Sequence, residues 1–206
     1  MSDPILVERS GDCITVVLNR PDKLNAITKG MWQRLGEVMK TLDGDQGIRC
    51  IILRGAGGKA FSPGNDISEF AVERADIEQG RDYGVCHHGA LKALRECRHP
   101  TVALIEGICV GGGLEIAALC DIRIAGASSR FGVPSNRLGL VLAHAEIQGL
   151  LEVVGRAATL EILLEGRIFG AEIGQHHAAH RPRHDVGELD HLHAGEGTRR
   201  CHLSVP

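Results

Sequence analysis

The chain has no dense cluster of positive charge and no long apolar run. It carries 23 Lys and Arg against 26 Asp and Glu among 206 residues, for a formal net charge of −3. Because phosphate binding needs clustered positive charge, we expect no nucleic-acid surface. No segment reaches the roughly 18 apolar residues of a membrane span, and residues 1–4 do not open a signal peptide. We therefore expect a cytoplasmic protein that binds neither membranes nor nucleic acid.

The seven cysteines form no C-x-x-C pair. Because their number is odd and no such pair occurs, neither a disulfide framework nor a zinc ribbon is indicated. We expect reduced, buried thiols instead. The positions are Cys13, Cys50, Cys86, Cys97, Cys109, Cys120 and Cys201.

The hydrophobic pattern predicts one α/β domain. Hydrophobic residues make up 43% of the chain, enough for one substantial core. Two β-prone runs at residues 5–8 and 13–18 flank a Ser-Gly-Asp turn, which predicts a hairpin. Thr28 is expected to cap a helix, because apolar residues then recur at helical spacing.

Beyond this helix, strands alternate with helices. Strands are predicted at residues 50–53, 101–105 and 122–125, with one helix ending near Arg98 and another over residues 113–119. Such alternation indicates parallel pairing through right-handed crossovers. Two later helical segments, around residues 150–154 and 160–164, are divided by Gly155.

Two apolar strands each run into glycine-rich backbone and then a helix. The sharper case is the triplet Gly111 to Gly113, which places free N–H groups and a positive helix end at one point, where an anion or developing oxyanion fits. Other glycine-loop chemistries fail on spacing. Neither segment supplies G-x-G-x-x-G, and a P-loop would need glycine where Leu53 stands. No G-x-S-x-G motif occurs, so a serine hydrolase has no obvious nucleophile.

Four runs together closely resemble the enoyl-CoA hydratase/isomerase (crotonase) superfamily in order, spacing and content. They are LNRPDKLNA at residues 18–26, AFSPGNDI at 60–67, GICVGGGLEIA at 107–117 and CDIRIA at 120–125. The resemblance covers roughly residues 5–171. It implies a fold of repeated ββα units, an acyl-CoA substrate, a role in fatty acid metabolism, and a homotrimer or dimer of trimers. Coenzyme A is part of the substrate, so no separate cofactor and no metal are expected.

By motif position, the resemblance implies that the backbone amides of Asn65 and Gly112 grip the thioester oxygen. Negative charge develops on that oxygen in the reaction, and each preorganised donor is typically worth about 3 kcal/mol. The residues expected around the coenzyme A are Lys23, Leu24, Ala26, Gly64, Asn65, Asp66, Ile67, Ser68, Gly111, Gly112 and Pro134.

Glu115 stands where hydratases of this superfamily keep one of two catalytic glutamates. One turn into an apolar helix, its carboxylate would be desolvated, which raises its pKa toward the range useful for proton transfer. The second glutamate is replaced by Ser135, whose hydroxyl could hold a water but cannot act as a carboxylate. His144 or Glu146 could supply the lost group from a neighbouring position.

Three functions stay open on these residues. A hydratase is one, and an isomerase that moves a double bond with a single shuttling carboxylate is its rival. A catalytically silent scaffold for binding or assembly is the third. The intact glycine triplet with Glu115 favours an enzyme, whereas Ser135 and the C-terminal segment favour the silent scaffold.

The composition changes after residue 172. Residues 173–206 hold seven of the eleven histidines, no lysine and only six Ile, Leu or Val, too few large apolar side chains for a core. This His- and Arg-rich tail resembles translation in a wrong reading frame, in place of the helices with which superfamily members cover the active site. Metal binding by His176, His180 and His184 is the functional alternative, although Pro182 interrupts the helix it needs.

Overall fold

Two mixed sheets organise the protein in a computed structural model, which describes residues 3–171. The strands are β1 (Ile5–Ser10), β2 (Cys13–Leu18), β3 (Cys50–Gly55), β4 (Ala60–Ser62), β5 (Thr101–Ile105), β6 (Ile108–Val110), β7 (Ile122–Ala125), β8 (Arg130–Gly132) and β9 (Ile168–Gly170). The helices are α1 (Lys29–Asp43), α2 (Phe70–Glu73), α3 (Ile77–Arg95), α4 (Gly112–Leu119) and α5 (His144–Glu165). Short 3₁₀ turns cover Pro21–Lys23, Ile67–Glu69 and Pro134–Leu138.

The larger sheet has the strand order β1-β2-β3-β5-β7. The hairpin β1–β2 is antiparallel, and the remaining neighbours are parallel. The predicted hairpin, the predicted strands and their parallel pairing are therefore confirmed. Each parallel step requires a crossover, which α1 provides between β2 and β3 and α3 provides ahead of β5.

The smaller sheet, in the order β4-β6-β8-β9, was not predicted. Its strands are three residues long, too short for an alternating pattern to be recognised in the sequence. Strands β4, β6 and β8 are parallel, and β9 pairs antiparallel with β8. This sheet carries the two glycine-rich loops, because one follows β4 and the other follows β6.

Helix α1 begins as predicted. The Thr28 hydroxyl accepts a hydrogen bond from the Met31 amide at 3.1 Å, and the expected apolar face is buried. The next long helix, α3, ends at Arg95 and not near Arg98. Its chain turns earlier because the Arg98 amide donates to Asp43 at the end of α1, and a His99 ring nitrogen lies 3.1 Å from the Leu42 carbonyl oxygen.

Helix α5 is divided at Gly155, as predicted. This glycine has φ 75° and ψ 171°, outside helical geometry, and the helix resumes after it. Within the described residues no helix is long and apolar enough to cross a membrane. The predicted tail, with its histidines and Cys201, lies outside those residues.

Six cysteines are described, and all carry free thiols. Cys109 and Cys120 are buried as expected. The expectation of burial is wrong for the other four, which are only partly buried: Cys13 and Cys50 begin strands, Cys97 follows the end of α3, and Cys86 lies within α3.

The cap on α1 yields a stability prediction. Thr28→Ala removes the side-chain acceptor for the Met31 amide and is expected to lower the free energy of unfolding by about 1 kcal/mol. Thr41→Ala is the matched control. Thr41 is exposed in the same helix and only donates to the Glu37 carbonyl, so its loss should change stability by less than about 0.5 kcal/mol. Urea unfolding measures both, and equal losses would contradict the capping role.

Candidate active site

The start of α4 is pressed against strand β4. A Cβ atom on Gly113 would overlap the Ser62 carbonyl oxygen and lie 2.9 Å from the Ser62 Cβ, so only glycine permits this contact. Gly111, just before the helix, has φ 52° and turns the chain from β6 into α4. The three glycines therefore bring the helix N-terminus directly against the smaller sheet.

The loop after β4 touches the same helix end. Gly64 has φ 97°, and a Cβ atom there would lie 2.8 Å from the Gly112 amide nitrogen. Among residues 3–171, the amide nitrogens of Asn65 and Gly112 have no hydrogen-bond acceptor. The structure thus brings together the two amides that were predicted from motif position.

A residue of α1 holds the Asn65 side chain in place. Trp32 is fully buried, and its indole nitrogen donates to Asn65 Oδ1 at 2.7 Å. The same indole packs against the His87 ring, with 4.2 Å between ring centroids. Neither Trp32 nor His87 was predicted from the sequence to belong to the site.

The two segments predicted to hold coenzyme A lie side by side. The Ile27 amide donates to Gly64 O at 2.8 Å, and the Asp66 amide donates to Ile27 O at 2.9 Å. Arg20 forms an ion pair with Asp66 at 3.0 Å. The hydrogen bond from Ser68 and then that from Arg20 lower the pKa of Asp66. Lys23, Leu24, Ile67 and Ser68 are exposed at this edge, and Ala26 is partly buried.

Glu115 is nearly buried, with 6% of its surface exposed. Its Oε2 lies 2.8 Å from His87 Nε2. Burial raises the pKa of the Glu115 carboxyl, and the hydrogen bond with His87 acts in the opposite direction. The predicted desolvation of this carboxylate is confirmed.

An apolar cavity between α4 and α5 contains two carboxylates. Glu115 and Glu146 both line it. The remaining lining is aliphatic: Leu114, Val133, Leu142, Ile147, Leu150 and Leu163. Pro134 and Ser135 follow Val133 in a 3₁₀ turn and are partly exposed, whereas His144 is exposed at the start of α5. Of the two neighbouring groups considered for the missing glutamate, the structure places Glu146 beside Glu115.

Two histidines complete the polar cluster. His88 Nε2 lies 3.0 Å from Glu146 Oε1, and His87 Nδ1 lies 3.5 Å from the same oxygen. Both histidines are on α3, a helix in which the sequence analysis found no functional residue. The pair of adjacent histidines within this helix was the signal that could have indicated them.

A family model described as enoyl-CoA hydratase/isomerase matches residues 8–177. The chain belongs to this family. The resemblance read from the four sequence runs is thereby confirmed, and so is the crotonase fold, which solved structures share with this family member. An enoyl-CoA hydratase/carnithine racemase from Magnetospirillum magneticum has a TM-score of 0.82 and 47% identity, covering 85% of this chain and 66% of that one.

Curated relatives carry hydratase names. A short-chain-enoyl-CoA hydratase of Clostridium acetobutylicum is 32% identical over 168 residues, covering 82% of this chain and 64% of that protein. A mevalonyl-coenzyme A hydratase of Beauveria bassiana is 34% identical over 167 residues, covering 77% of this chain and 59% of that protein. This family member therefore matches only about two thirds of the length of such relatives.

The close packing of α4 against β4 can be tested with two glycine substitutions that should change the stability of the protein in opposite directions. Gly113→Ala forces a Cβ into the Ser62 backbone and should cost about 1–3 kcal/mol of stability. Gly89→Ala, in α3, meets no atom within 4 Å and should stabilise by up to about 1 kcal/mol, because alanine favours helices. Urea unfolding measures both changes. A neutral Gly113→Ala would contradict the close contact.

Proposed function

We propose that this family member adds water across the double bond of an enoyl-CoA thioester. In this proposal the amides of Asn65 and Gly112 bind the thioester oxygen, and Glu115 transfers the proton. The observation that carries it is the meeting of two unpaired backbone amides with a buried carboxylate one helical turn away.

The chemistry explains why two fixed amides are useful. Attack of water at the conjugated double bond pushes negative charge onto the thioester oxygen. Donors already aimed at that position need no reorganisation, and each is typically worth about 3 kcal/mol in the transition state. Here one donor lies on the loop after β4 and the other at the first residue of α4, and glycine contacts and the Trp32–Asn65 hydrogen bond hold them in place. The positive end of the α4 dipole adds to the same effect.

Substrate binding is assigned to the adjoining loops around the amides. Lys23, Leu24 and Ala26 on one loop, with Gly64 to Ser68 on the other, are proposed to hold the coenzyme A portion. Gly111 and Pro134 are proposed to contribute to the same binding region. Coenzyme A arrives as part of the substrate in this scheme, so the reaction needs no separate cofactor.

Glu146 is proposed as the second carboxylate of a hydratase. Hydration requires a base that activates water and an acid that protonates the carbon next to the thioester. Ser135 cannot supply either function as a carboxylate, but Glu146 lines the cavity that contains Glu115. The hydratase names of the relatives support hydration as the reaction but do not bear on Glu146.

An isomerase is the second candidate, and Ser135 is the observation that favours it. Moving a double bond from the 3 to the 2 position needs only one carboxylate, which removes a proton and returns it to another carbon. The same two amides would stabilise the enolate intermediate. The two candidates differ in whether Glu146 takes part in proton transfer.

Glu115→Gln should lower turnover by at least about 10²-fold, because the amide side chain cannot exchange a proton in this role. Absorbance of the conjugated thioester reports the reaction, falling with crotonyl-CoA for a hydratase and rising with 3-hexenoyl-CoA for an isomerase. Glu78→Gln, exposed on α3, is the control and should keep the full rate. A Glu115→Gln protein with the wild-type rate would refute the role. A folded wild-type sample inactive on both substrates would indicate the silent scaffold.

Glu146→Gln separates the two candidates. If Glu146 is the second carboxylate, crotonyl-CoA hydration should fall about 10²-fold while 3-hexenoyl-CoA isomerisation persists. Glu152→Gln lies on the same helix but removes only an exposed ion pair with Arg95, so it should leave both rates unchanged. Unchanged hydration in Glu146→Gln would exclude Glu146 as the second group.

A further inference from the structure

Three potential metal-ligand atoms converge where α3 passes the start of α5. They are His87 Nδ1, His88 Nε2 and Glu146 Oε1, and all lie within 4.8 Å of one another. The Glu146 oxygen is 3.0 Å from the His88 nitrogen and 3.5 Å from the His87 nitrogen. Two imidazole nitrogens and one carboxylate oxygen form a common ligand set for Zn²⁺.

The His87 Nδ1 atom is the independent sign that something is bound here. The side chain is 2% exposed, and Nδ1 makes no hydrogen bond with any described residue. Its other ring nitrogen faces the Glu115 carboxylate at 2.8 Å. When that nitrogen carries the proton, Nδ1 presents a lone pair toward Glu146 Oε1. A buried lone pair facing a carboxylate oxygen is repelled unless a proton or a metal cation lies between them.

The distance between His87 Nδ1 and Glu146 Oε1 favours a metal ion over a shared proton at this one contact. A charge-assisted N–H···O bond would bring the atoms to about 2.7–2.9 Å. The observed 3.5 Å exceeds that distance. Two ligands bound tetrahedrally at 2.0–2.1 Å are about 3.3 Å apart. The separation of His87 from Glu146 is therefore close to the edge of a zinc coordination tetrahedron.

Neighbouring groups already hold two of the ligands in a binding orientation. Glu115 is placed to accept from His87 Nε2, the arrangement by which a carboxylate commonly orients a metal-bound histidine. The Ala143 amide donates to Glu146 Oε2 at 2.8 Å, which leaves Oε1 directed at the two histidines. Trp32 packs on the His87 ring and limits its rotation.

We propose that His87, His88 and Glu146 bind one divalent transition-metal ion of the Zn²⁺ class. Three protein ligands leave a coordination position for water, and His88, whose side chain is 39% exposed, provides access from solvent. Because two ligands come from α3 and one from α5, the ion connects these helices. The proposal concerns binding and does not depend on the proposed reaction. A bound ion would occupy Glu146 Oε1 and so compete with the proposed role of Glu146 as second carboxylate.

The test is a Zn²⁺ titration of the full chain, measured by calorimetry. The protein is expressed without a histidine tag and stripped of metal with a chelator beforehand. The seven histidines of residues 173–206 offer further imidazole groups to a metal ion, so variants must identify the site. His88→Ala should lose one equivalent of bound Zn²⁺ or bind it at least tenfold more weakly. His144→Ala, an exposed histidine outside the cluster, should match the wild type. Identical titrations of wild type and His88→Ala would overturn the proposal.

Thermal unfolding gives a second measurement. The ligand atoms converge only in the folded chain, so Zn²⁺ bound at this site should raise the Tm of the wild type and of His144→Ala. His88→Ala should show little or no rise. An equal rise in wild type and His88→Ala would also refute the site. His88 is the residue of choice because it is partly exposed and has no role in the proposed proton transfer.

Discussion

The close approach of two backbone segments supports the rest of the site. Gly64 and Gly113 leave no space for a Cβ atom, which allows the loop after β4 and the N-terminus of α4 to touch. A side chain at either position would force them apart and separate the Asn65 and Gly112 amides. The site is thus built from main-chain atoms that come this close only because glycine has no side chain. This steric requirement explains the glycine-rich sequence better than a need for flexibility does.

A buried polar chain extends from this contact through four helices. Trp32 of α1 holds Asn65 and packs on His87 of α3, which in turn faces Glu115 of α4 and Glu146 of α5. Burying two carboxylates is costly unless positive charge or protons compensate them. His87 lies between both carboxylates, so a cation bound at its Nδ1 would supply that positive charge. The same position explains why the proposed proton-transfer site and the proposed metal site share Glu146.

Local patterns predicted much of the fold. The hairpin, the Thr28 cap, the larger sheet and the break at Gly155 follow from short-range rules: turn residues, capping and periodicity. The smaller sheet was not predicted because three-residue strands are too short to show an alternating hydrophobic pattern. These strands pair only when the chain has already folded. The end of α3 was misplaced because contacts of Arg98 and His99 with the end of α1 decide it.

By itself the sequence determined the family and the local chemistry of the site: the glycine triplet, the Gly64–Asn65 turn and Glu115 one turn into an apolar helix. Each of these is a property of neighbouring residues and leaves a readable motif. Only the tertiary structure decided that Glu146 shares a cavity with Glu115 and that His87 lies between them. Those groups are 31 and 28 residues from Glu115 along the chain. Residues so far apart meet only through helix packing, for which the sequence of either segment alone contains no signal.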